Sequence, residues 1–148
     1  MRIYGVPLGK NETASVVETK VKDIISNVLG DVEPSIRIDR AHRVSKVKVG
    51  ENGTRTQPII VRFPTFKERT LVYNARKQIK ARFKLGVSLD LTKARLNLLN
   101  TARDYVKDIE AILFVYSDIN CYLRVLTKEK KHVMFTSHAD LLSVVAAL

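Results

Sequence analysis

Three side chains on two strand-like stretches have the chemistry to hold a phosphate chain and its bases. RIYGV at residues 2–6 carries Arg2 and Tyr4 at alternate positions, and QPIIVRF at residues 57–63 carries Arg62 between apolar neighbours. Since successive strand side chains point to opposite faces, Arg2 and Tyr4 share a face, and Arg62 points away from the apolar side chains beside it. Arginine pairs with phosphate oxygens and stacks on planar rings, and tyrosine stacks on unpaired bases. These residues therefore predict contacts with an anionic ligand that carries flat rings.

The positive charge of the chain is concentrated in its middle third. The 148 residues include 26 Lys+Arg and 15 Asp+Glu, a net charge of +11. Residues 37–84 hold 14 basic and 3 acidic residues and so carry +11, whereas residues 1–36 carry −1 and residues 85–148 carry +1. This distribution favours nucleic-acid phosphates as the partner. An anionic membrane fits less well, because no basic amphipathic helix with bulky aromatics is present. A charge excess that only keeps the protein soluble is the remaining alternative.

An amphipathic helix is predicted after the first strand. Asn11 and Thr13 are both residue types that cap helix N-termini, and Gly30 is a typical helix stop. Between them, apolar residues recur at helical spacing and make one stripe. The stripe consists of Val17, Val21, Ile24, Ile25 and Val28.

The second predicted strand lies within SIRIDRAHRV, residues 35–44. Its alternation places Ile36 and Ile38 on the buried face and Arg37 and Asp39 on the other. The basic stretch that follows predicts a mobile hairpin loop with its turn at Asn-Gly.

The third strand, a second helix and a fourth strand complete the first half of the chain. Pro58 is expected at the start of the third strand, where its missing N–H costs least. Thr65 and Glu68 form a capping box ahead of one continuous helix, and GVSLDL follows as the fourth strand. That helix is predicted to bury Leu71, Val72, Ala75 and Ile79 and to expose Lys67, Arg69, Arg76, Lys77 and Lys80.

The element order predicts an α+β fold in two domains. Residues 1–90 read as a ferredoxin-like β-α-β-β-α-β domain of the RNA-recognition-motif type. Residues 91–148 read as a small α-β-β-β-α domain: a helix over 92–109, the strands AILFVYS, CYLRVL and HVMFT, and a last helix capped by Ser137.

In such a domain both helices cover one face of the sheet and leave the other open. Arg2, Tyr4 and Arg62 are predicted on the open face, together with Pro58 and Ile60. RNA-recognition modules stack bases on aromatics there, and Tyr4 is the only aromatic in these positions. We therefore predict backbone-dominated, weakly sequence-selective binding of single strands. The alternative for Tyr4 is a ring half covered by a neighbouring segment.

Two other functional classes are weighed against nucleic-acid binding. An open sheet face with a small apolar patch of Tyr4, Pro58 and Ile60 could instead serve as a protein-interaction or assembly module. An enzyme is not predicted, because the chain has no glycine-rich phosphate loop, no HExxH and no GxSxG. The dispersed histidines (His42, His132, His138) and the sparse acidic residues of the basic third (Asp39, Glu51, Glu68) suggest neither a zinc site nor a two-metal nuclease. We predict no metal, no cofactor and no membrane partner.

Four stretches carry a family resemblance. RIYGVP, IRIDRAHRV, PIIVRF and NARKQIK resemble the RNA-recognition-motif domain of the first open-reading-frame protein of LINE-type (non-LTR) retrotransposons. LDLTKARLNLLNTARDYV and the strands after it are similar, more loosely, to the C-terminal domain of baculovirus few-polyhedra (FP) proteins.

The resemblance implies a protein that coats the RNA of a retroelement and acts as a nucleic-acid chaperone without bond chemistry. It implies RNA contacts for Arg2, Arg62 and Arg76, and contacts in the C-terminal domain for Lys93, Arg95 and Tyr116. It further implies cytoplasmic ribonucleoprotein particles, with a nuclear location as an alternative, and self-association through a coiled coil that precedes the matched region. The chain departs from the family in its C-terminal helix, where Leu99 and Asn100 stand in place of paired arginines.

The predicted nucleic-acid interface has three parts besides those C-terminal contacts. Arg2, Tyr4 and Arg62 contact the ligand on the sheet. A second group guides phosphates past the edge of the second strand, and a third carries the nucleic acid across the boundary between the domains. The second group is Arg37, Arg40 and Arg43 with Lys46 and Lys48, and the third is Arg76, Lys77, Lys80, Arg82 and Lys84. The alternative for the third group is a solvated helix end whose cations complement the helix dipole.

Overall fold

The computed structural model describes residues 1–30 and 36–148, and the chain divides into two compact units, Met1–Asp90 and Leu91–Leu148. The described part is a mixed α+β structure with five helices and antiparallel sheets, which confirms the predicted class at that level. In the first unit the elements are β1 (Arg2–Tyr4), α1 (Ala14–Leu29), β2 (Arg40–Arg43), β3 (Lys48–Val49), β4 (Arg55–Thr56), β5 (Ile59–Arg62), α2 (Phe66–Asn74), α3 (Arg76–Phe83) and β6 (Gly86–Ser88). In the second they are α4 (Lys93–Val106), β7 (Ile112–Ser117), β8 (Leu123–Thr127), β9 (His132–Phe135) and α5 (His138–Ala146).

The first unit is built on a four-stranded antiparallel sheet in the order β2-β5-β1-β6. Arg2 pairs with Ile60 on one side and with Ser88 on the other, and His42 pairs with Ile60 from β2. Directly paired residues point to the same face, so these four side chains form one row across the sheet.

The opposite face of this sheet is the core. Ile3, Ile59 and Val61 are almost fully buried there, in one apolar cluster with Val21 of α1 and Ile79 of α3. Each fully buried aliphatic side chain of this kind stabilises the fold by roughly 1.5–3 kcal/mol relative to an exposed one. The helices therefore form a layer on one face only, which leaves the other face without a helical cover.

Local capping determines where α1 begins and ends. The Thr13 hydroxyl accepts a hydrogen bond from the Val16 N–H, so Thr13 is the N-cap, and Asn11 lies before it with a φ of 52°. Gly30 follows the last helical residue, and its N–H donates to the Ser26 carbonyl.

The second strand is shorter than predicted, and its buried face does not continue the alternation of Ile36 and Ile38. β2 begins at Arg40, so residues 36–39 lie outside the ladder, and Ser35 lies outside the described residues. Ile36 and Ile38 do pack against the core, as predicted, but Ala41 is the next buried residue. The alternation predicted for residues 36–39 therefore does not belong to the strand, because β2 begins only at Arg40.

The second helix of the first unit is two helices. α2 ends before Ala75, whose ψ of 0° breaks the helical repeat, and α3 starts at Arg76. The Arg76 guanidinium donates to the Tyr73 carbonyl at 3.0 Å and lies 4.3 Å from the centre of the Tyr73 ring. This side-chain cap satisfies a terminal carbonyl of α2. As a result Arg76 is half-buried rather than exposed as predicted, and Arg69 is half-buried too.

The second unit is a three-stranded antiparallel sheet, β7-β8-β9, with α4 and α5 packed on one face. Val125, Phe135 and Leu141 lie at the centre of its core. Thr92 and Ser137 cap α4 and α5 through their hydroxyls. Within the part of the chain that the structure describes, no helix combines the length and the apolar character that a membrane crossing requires.

Candidate nucleic-acid interface

The face of the first sheet that lies opposite the helices, here called the open face, carries all three residues of the sheet prediction, spread along its length. Its central row runs His42, Ile60, Arg2, Ser88. The Arg40–Arg62 pair lies at one end of the face, and the Tyr4–Gly86 pair lies at the other. Arg62 and Tyr4 are about 13 Å apart along the strands, because each is two residues from the central row.

The arginines of the open face are accessible to solvent. The Arg62 side chain is 80% exposed and that of Arg2 33%. Arg40 is exposed as well. A ligand that lies across β5 and β1 thus meets guanidinium groups at both strands, on diagonal neighbours whose Cα atoms lie about 8 Å apart.

Tyr4 rests against the edge strand β6. A side chain built at Gly86 would meet the Tyr4 Cβ at 3.6 Å, so the absence of a side chain at Gly86 leaves room beside the tyrosine. The Ser88 hydroxyl donates to the Tyr4 hydroxyl at 3.4 Å, which is a long contact. Tyr4 is 36% exposed, and its ring remains available for partial stacking.

Two carboxylates accompany the open-face arginines. The Arg2 Nε lies 2.6 Å from an Asp90 oxygen, and the Arg62 Nε lies 3.2 Å from an Asp39 oxygen. Arg40 has no ion pair among the described residues. Exposed pairs of this kind contribute only about 0–1 kcal/mol, so a phosphate oxygen competes with the carboxylate for the guanidinium at little cost.

Sequence reasoning missed His42 and misplaced Pro58. His42 lies in the central row and is half-buried, and its Nδ1 has no hydrogen-bond partner among residues 1–30 and 36–148. The sequence does contain an indication of this position. Small Ala41 takes the buried place between Arg40 and His42, so the side chains of these two neighbours face the other way. Pro58 is buried instead of exposed, so the predicted apolar patch shrinks to Tyr4 and Ile60.

Arg37 was predicted on the outer face of the second strand and lies instead at the start of α2. Its backbone N–H and its Nε both donate to one oxygen of Glu68, each at 3.1 Å, while the side chain is 69% exposed. The Thr65 hydroxyl and the Arg37 N–H lower the pKa of Glu68 to about 2. Arg37 can still reach a phosphate with its free terminal nitrogens, but it does so from the helix layer.

Arg43 was predicted to guide phosphates and is occupied inside the domain. It pairs with buried Ile59, and its own side chain is 10% exposed. Its guanidinium donates to both oxygens of Glu12 and to three backbone carbonyls, so its donors are used and none is available to a ligand. The three carbonyls belong to Val6, Pro7 and Gln57.

Glu12 is the buried partner of this arginine, with a side chain only 3% exposed. Burial raises its pKa, but hydrogen bonds from Lys20 and Arg43 outweigh that effect, and the pKa lies below its ordinary value. The carboxylate therefore stays ionised and holds Arg43 in place.

Four cations of the third predicted group lie on α3 and the fifth, Lys84, caps its C-terminus, so the group belongs to the helix layer rather than to the open face. Arg76 caps α2, and the Arg82 guanidinium donates to the Asn27 carbonyl of α1. Lys77, Lys80 and Lys84 are exposed. The middle third of the chain therefore carries exposed cations on two different sides of the first unit, so the predicted groups do not form one continuous surface.

The second unit holds the remaining predicted contacts. Lys93 is exposed in the first turn of α4, and Arg95 donates to the Cys121 carbonyl at 3.1 Å. Tyr116 is half-buried, and its hydroxyl lies 2.7 Å from the His132 Nδ1. Lys93 is thus the most accessible of the three to a ligand, whereas Arg95 and Tyr116 already have hydrogen-bond partners within this unit.

No group of three or more metal-ligating side chains converges among the described residues. No protein-family model matches the chain, and a comparison with curated proteins gives no significant match.

Proposed function

We propose that residues 1–90 form a ferredoxin-like domain of the RNA-recognition-motif type that binds single-stranded nucleic acid, foremost RNA, on its open face. The strand order β2-β5-β1-β6 supports the assignment, because it places the first and third strands of the predicted β-α-β-β-α-β arrangement at the centre. The observation that carries the function is the placement of Arg2, Arg40 and Arg62 on one uncovered face with Tyr4 at its end.

In the proposed binding mode, the protein contacts the phosphate backbone and makes few base-specific contacts. Phosphates replace Asp90 as the partner of Arg2 and Asp39 as the partner of Arg62. They bind Arg40 without displacing a carboxylate. One base stacks on the exposed part of Tyr4, and every base has a face that can do so. With one aromatic on the face, sequence selectivity is weak.

The resemblance to LINE-type first open-reading-frame proteins supports a larger role. In this proposal the chain coats the RNA of a retroelement in cytoplasmic ribonucleoprotein particles, with nuclear entry as a variant, and acts as a chaperone that rearranges strands. Weak, backbone-directed contacts suit that role, because they hold a strand in many registers. Arg76 and the C-terminal residues Lys93, Arg95 and Tyr116 belong to the proposal through the resemblance alone.

A protein-interaction module is the second candidate for the open face. The burial of Pro58 weakens it, since Tyr4 and Ile60 alone make too small an apolar patch for a stable interface. Salt separates the two candidates, because phosphate binding releases counterions and an apolar contact does not.

The test is a titration of the full chain with fluorescent single-stranded RNA, single-stranded DNA and duplex over a series of salt concentrations. We expect single strands to bind with a slope of log K against log salt of about −2 or steeper, since each phosphate contact adds about −0.7. Arg62→Ala is expected to weaken binding to all sequences equally and to reduce the slope by about 0.7. Lys22→Ala is the matched control, because Lys22 is exposed on α1 in the helix layer. Salt-independent binding, or a loss confined to one sequence, contradicts the proposal.

A further inference from the structure

The β3–β4 hairpin continues the sheet beyond the Tyr4 end of the open face. The Val44 N–H donates to the Pro58 carbonyl at 2.9 Å, where β2 and β5 lead into the hairpin. Past Tyr4, the chain pairs with the hairpin's second strand, since Pro7 bridges Thr56 and the Leu8 N–H donates to the Arg55 carbonyl at 2.8 Å. A strand of nucleic acid that leaves the open face past Tyr4 therefore meets the hairpin.

The hairpin carries charge suited to phosphate. Residues 45–57 include three basic side chains, Lys46, Lys48 and Arg55, and one acidic side chain, Glu51. All three cations are exposed, and none has an ion pair among the described residues. Lys48 pairs with Thr56 and Val49 pairs with Arg55, so Lys48 and Arg55 point to opposite faces of the hairpin. Lys46 lies two residues before Lys48 on the same side of the turn, so these two lysines are the cations that one bound strand can contact together.

The ladder of the hairpin is too short to hold its own position. β3 and β4 pair over two residues each, and an isolated two-stranded ribbon is marginally stable in water. Asn52 and the glycines close its turn but leave its base without a core. Something outside the hairpin must therefore set its direction.

The Arg43 guanidinium supplies that attachment. It donates to the carbonyls of Val6 and Pro7, on the segment that pairs with β4, and to the carbonyl of Gln57, where the hairpin re-enters the sheet. Glu12 holds the guanidinium from the other side, and Lys20 donates to Glu12 at 2.6 Å. One buried side chain thus joins both flanks of the hairpin base.

We propose that the β3–β4 hairpin is a second arm of the nucleic-acid site and that Arg43 is the positioning residue that holds the arm in line with the open face. This inference rests on the proposed function of the open face. Arg43 is then not a ligand-binding residue, as the sequence suggested, but a residue that acts through Lys46 and Lys48.

The test compares two oligonucleotide lengths on the full chain. A single strand of about four nucleotides covers the open face alone, and one of about 12 also reaches the hairpin. The double substitution Lys46→Ala with Lys48→Ala is expected to leave binding of the short strand unchanged. It should weaken binding of the long strand roughly 10-fold at low salt and reduce its salt slope by about 1.4. Lys22→Ala is the control and should change neither.

Arg43→Gln tests the positioning role. We expect it to reduce the advantage of the long strand over the short one and to accelerate hydrogen exchange at the Leu8 and Gly50 amides. Glu12→Gln, which keeps the arginine and its carbonyl bonds, should give a smaller change in the same direction. A variant that merely unfolds in part weakens both lengths equally, and that result overturns the positioning role.

Unchanged long-strand binding in the double variant overturns the arm itself, whereas failure of the native chain to bind the short strand overturns the function of the open face.

Discussion

The Arg2 guanidinium and the Asp90 carboxylate meet at 2.6 Å, which joins the first strand of the sheet to the segment just after the last one. Both side chains are 33% exposed, so the pair lies at the surface and not in the core. In the proposed binding mode, a phosphate has to displace this carboxylate from the guanidinium.

Removing the competing carboxylate should therefore strengthen nucleic-acid binding. We expect Asp90→Asn to raise the affinity for single-stranded RNA about two- to fivefold at low salt, because an exposed ion pair of up to about 1 kcal/mol no longer has to be broken. Asp39→Asn should act in the same way through Arg62. The measurement is fluorescence anisotropy, with Asp23→Asn on α1 as the control. An affinity that stays constant or falls would mean that Arg2 does not contact phosphate.

Substitutions at Tyr4 should separate ring stacking from hydroxyl chemistry. Tyr4→Phe keeps the ring and loses only the long contact with Ser88, so we expect affinity within about twofold of the native chain. Tyr4→Leu removes the aromatic face and should cost about 1–3 kcal/mol, the usual value for one stacked base. Quenching of tyrosine fluorescence by the bound strand checks the same contact. Equal affinities for the Phe and Leu variants would assign Tyr4 to packing against β6.

Two arginines of neighbouring strands should differ sharply in their effect on stability. Arg43→Ala leaves the buried Glu12 carboxylate with Lys20 alone and removes the donor from three carbonyls, so we expect a loss of about 3 kcal/mol in the free energy of unfolding. Arg62→Ala, whose pair with Asp39 is exposed, should cost less than about 0.5 kcal/mol. Urea denaturation followed by circular dichroism measures both. A similar cost for the two variants would contradict the structural role given to Arg43.

The capping box predicts a dependence of stability on acid pH. The pKa of Glu68 falls from an ordinary 4.5 to about 2 in the folded chain, because the Thr65 hydroxyl and the Arg37 N–H bind its carboxylate. A depressed pKa means that the folded state binds fewer protons than the unfolded state. The stabilisation is therefore complete above about pH 4.5 and is lost as the pH falls towards 2.

Glu68→Gln should remove part of that dependence. Between pH 5 and 2 we expect the melting temperature of the variant to fall less steeply than that of the native chain, although the variant is less stable at neutral pH. Glu51→Gln, at an exposed position after β3, provides the comparison. Parallel pH profiles for native chain and Glu68 variant would show that this carboxylate does not contribute to acid unfolding.

Local sequence patterns were sufficient for much of the fold. The caps at Thr13, Thr65 and Ser137 each begin a helix where a hydroxyl precedes an apolar stripe, since capping involves only neighbouring residues. The faces of β1 and β5 likewise follow from alternation, because each short strand is regular along its whole length.

The errors arose where distant residues decide the outcome. The second strand begins later than predicted, at Arg40, because the segment before it is held by the helix layer, where Arg37 binds Glu68, 31 residues further along the chain. The single helix predicted here is interrupted at Ala75, where the Arg76 side chain caps α2. The helical spacing of the apolar residues continues across Ala75, so the sequence pattern does not indicate the interruption.

The arginines show most clearly what local pattern leaves open. Alternation placed Arg62 on the open face from its neighbours alone, because the buried Val61 and Phe63 on either side constrain it. Arg40 and Arg43 are equally basic and three residues apart, yet one is exposed and the other buried against Glu12. Only the folded chain separates them, since the carboxylate and carbonyls that satisfy Arg43 come from segments far away in sequence, and burial of a charge depends on such partners. Composition could therefore show that the middle third is basic, but the tertiary structure decided which of its cations are available to a ligand.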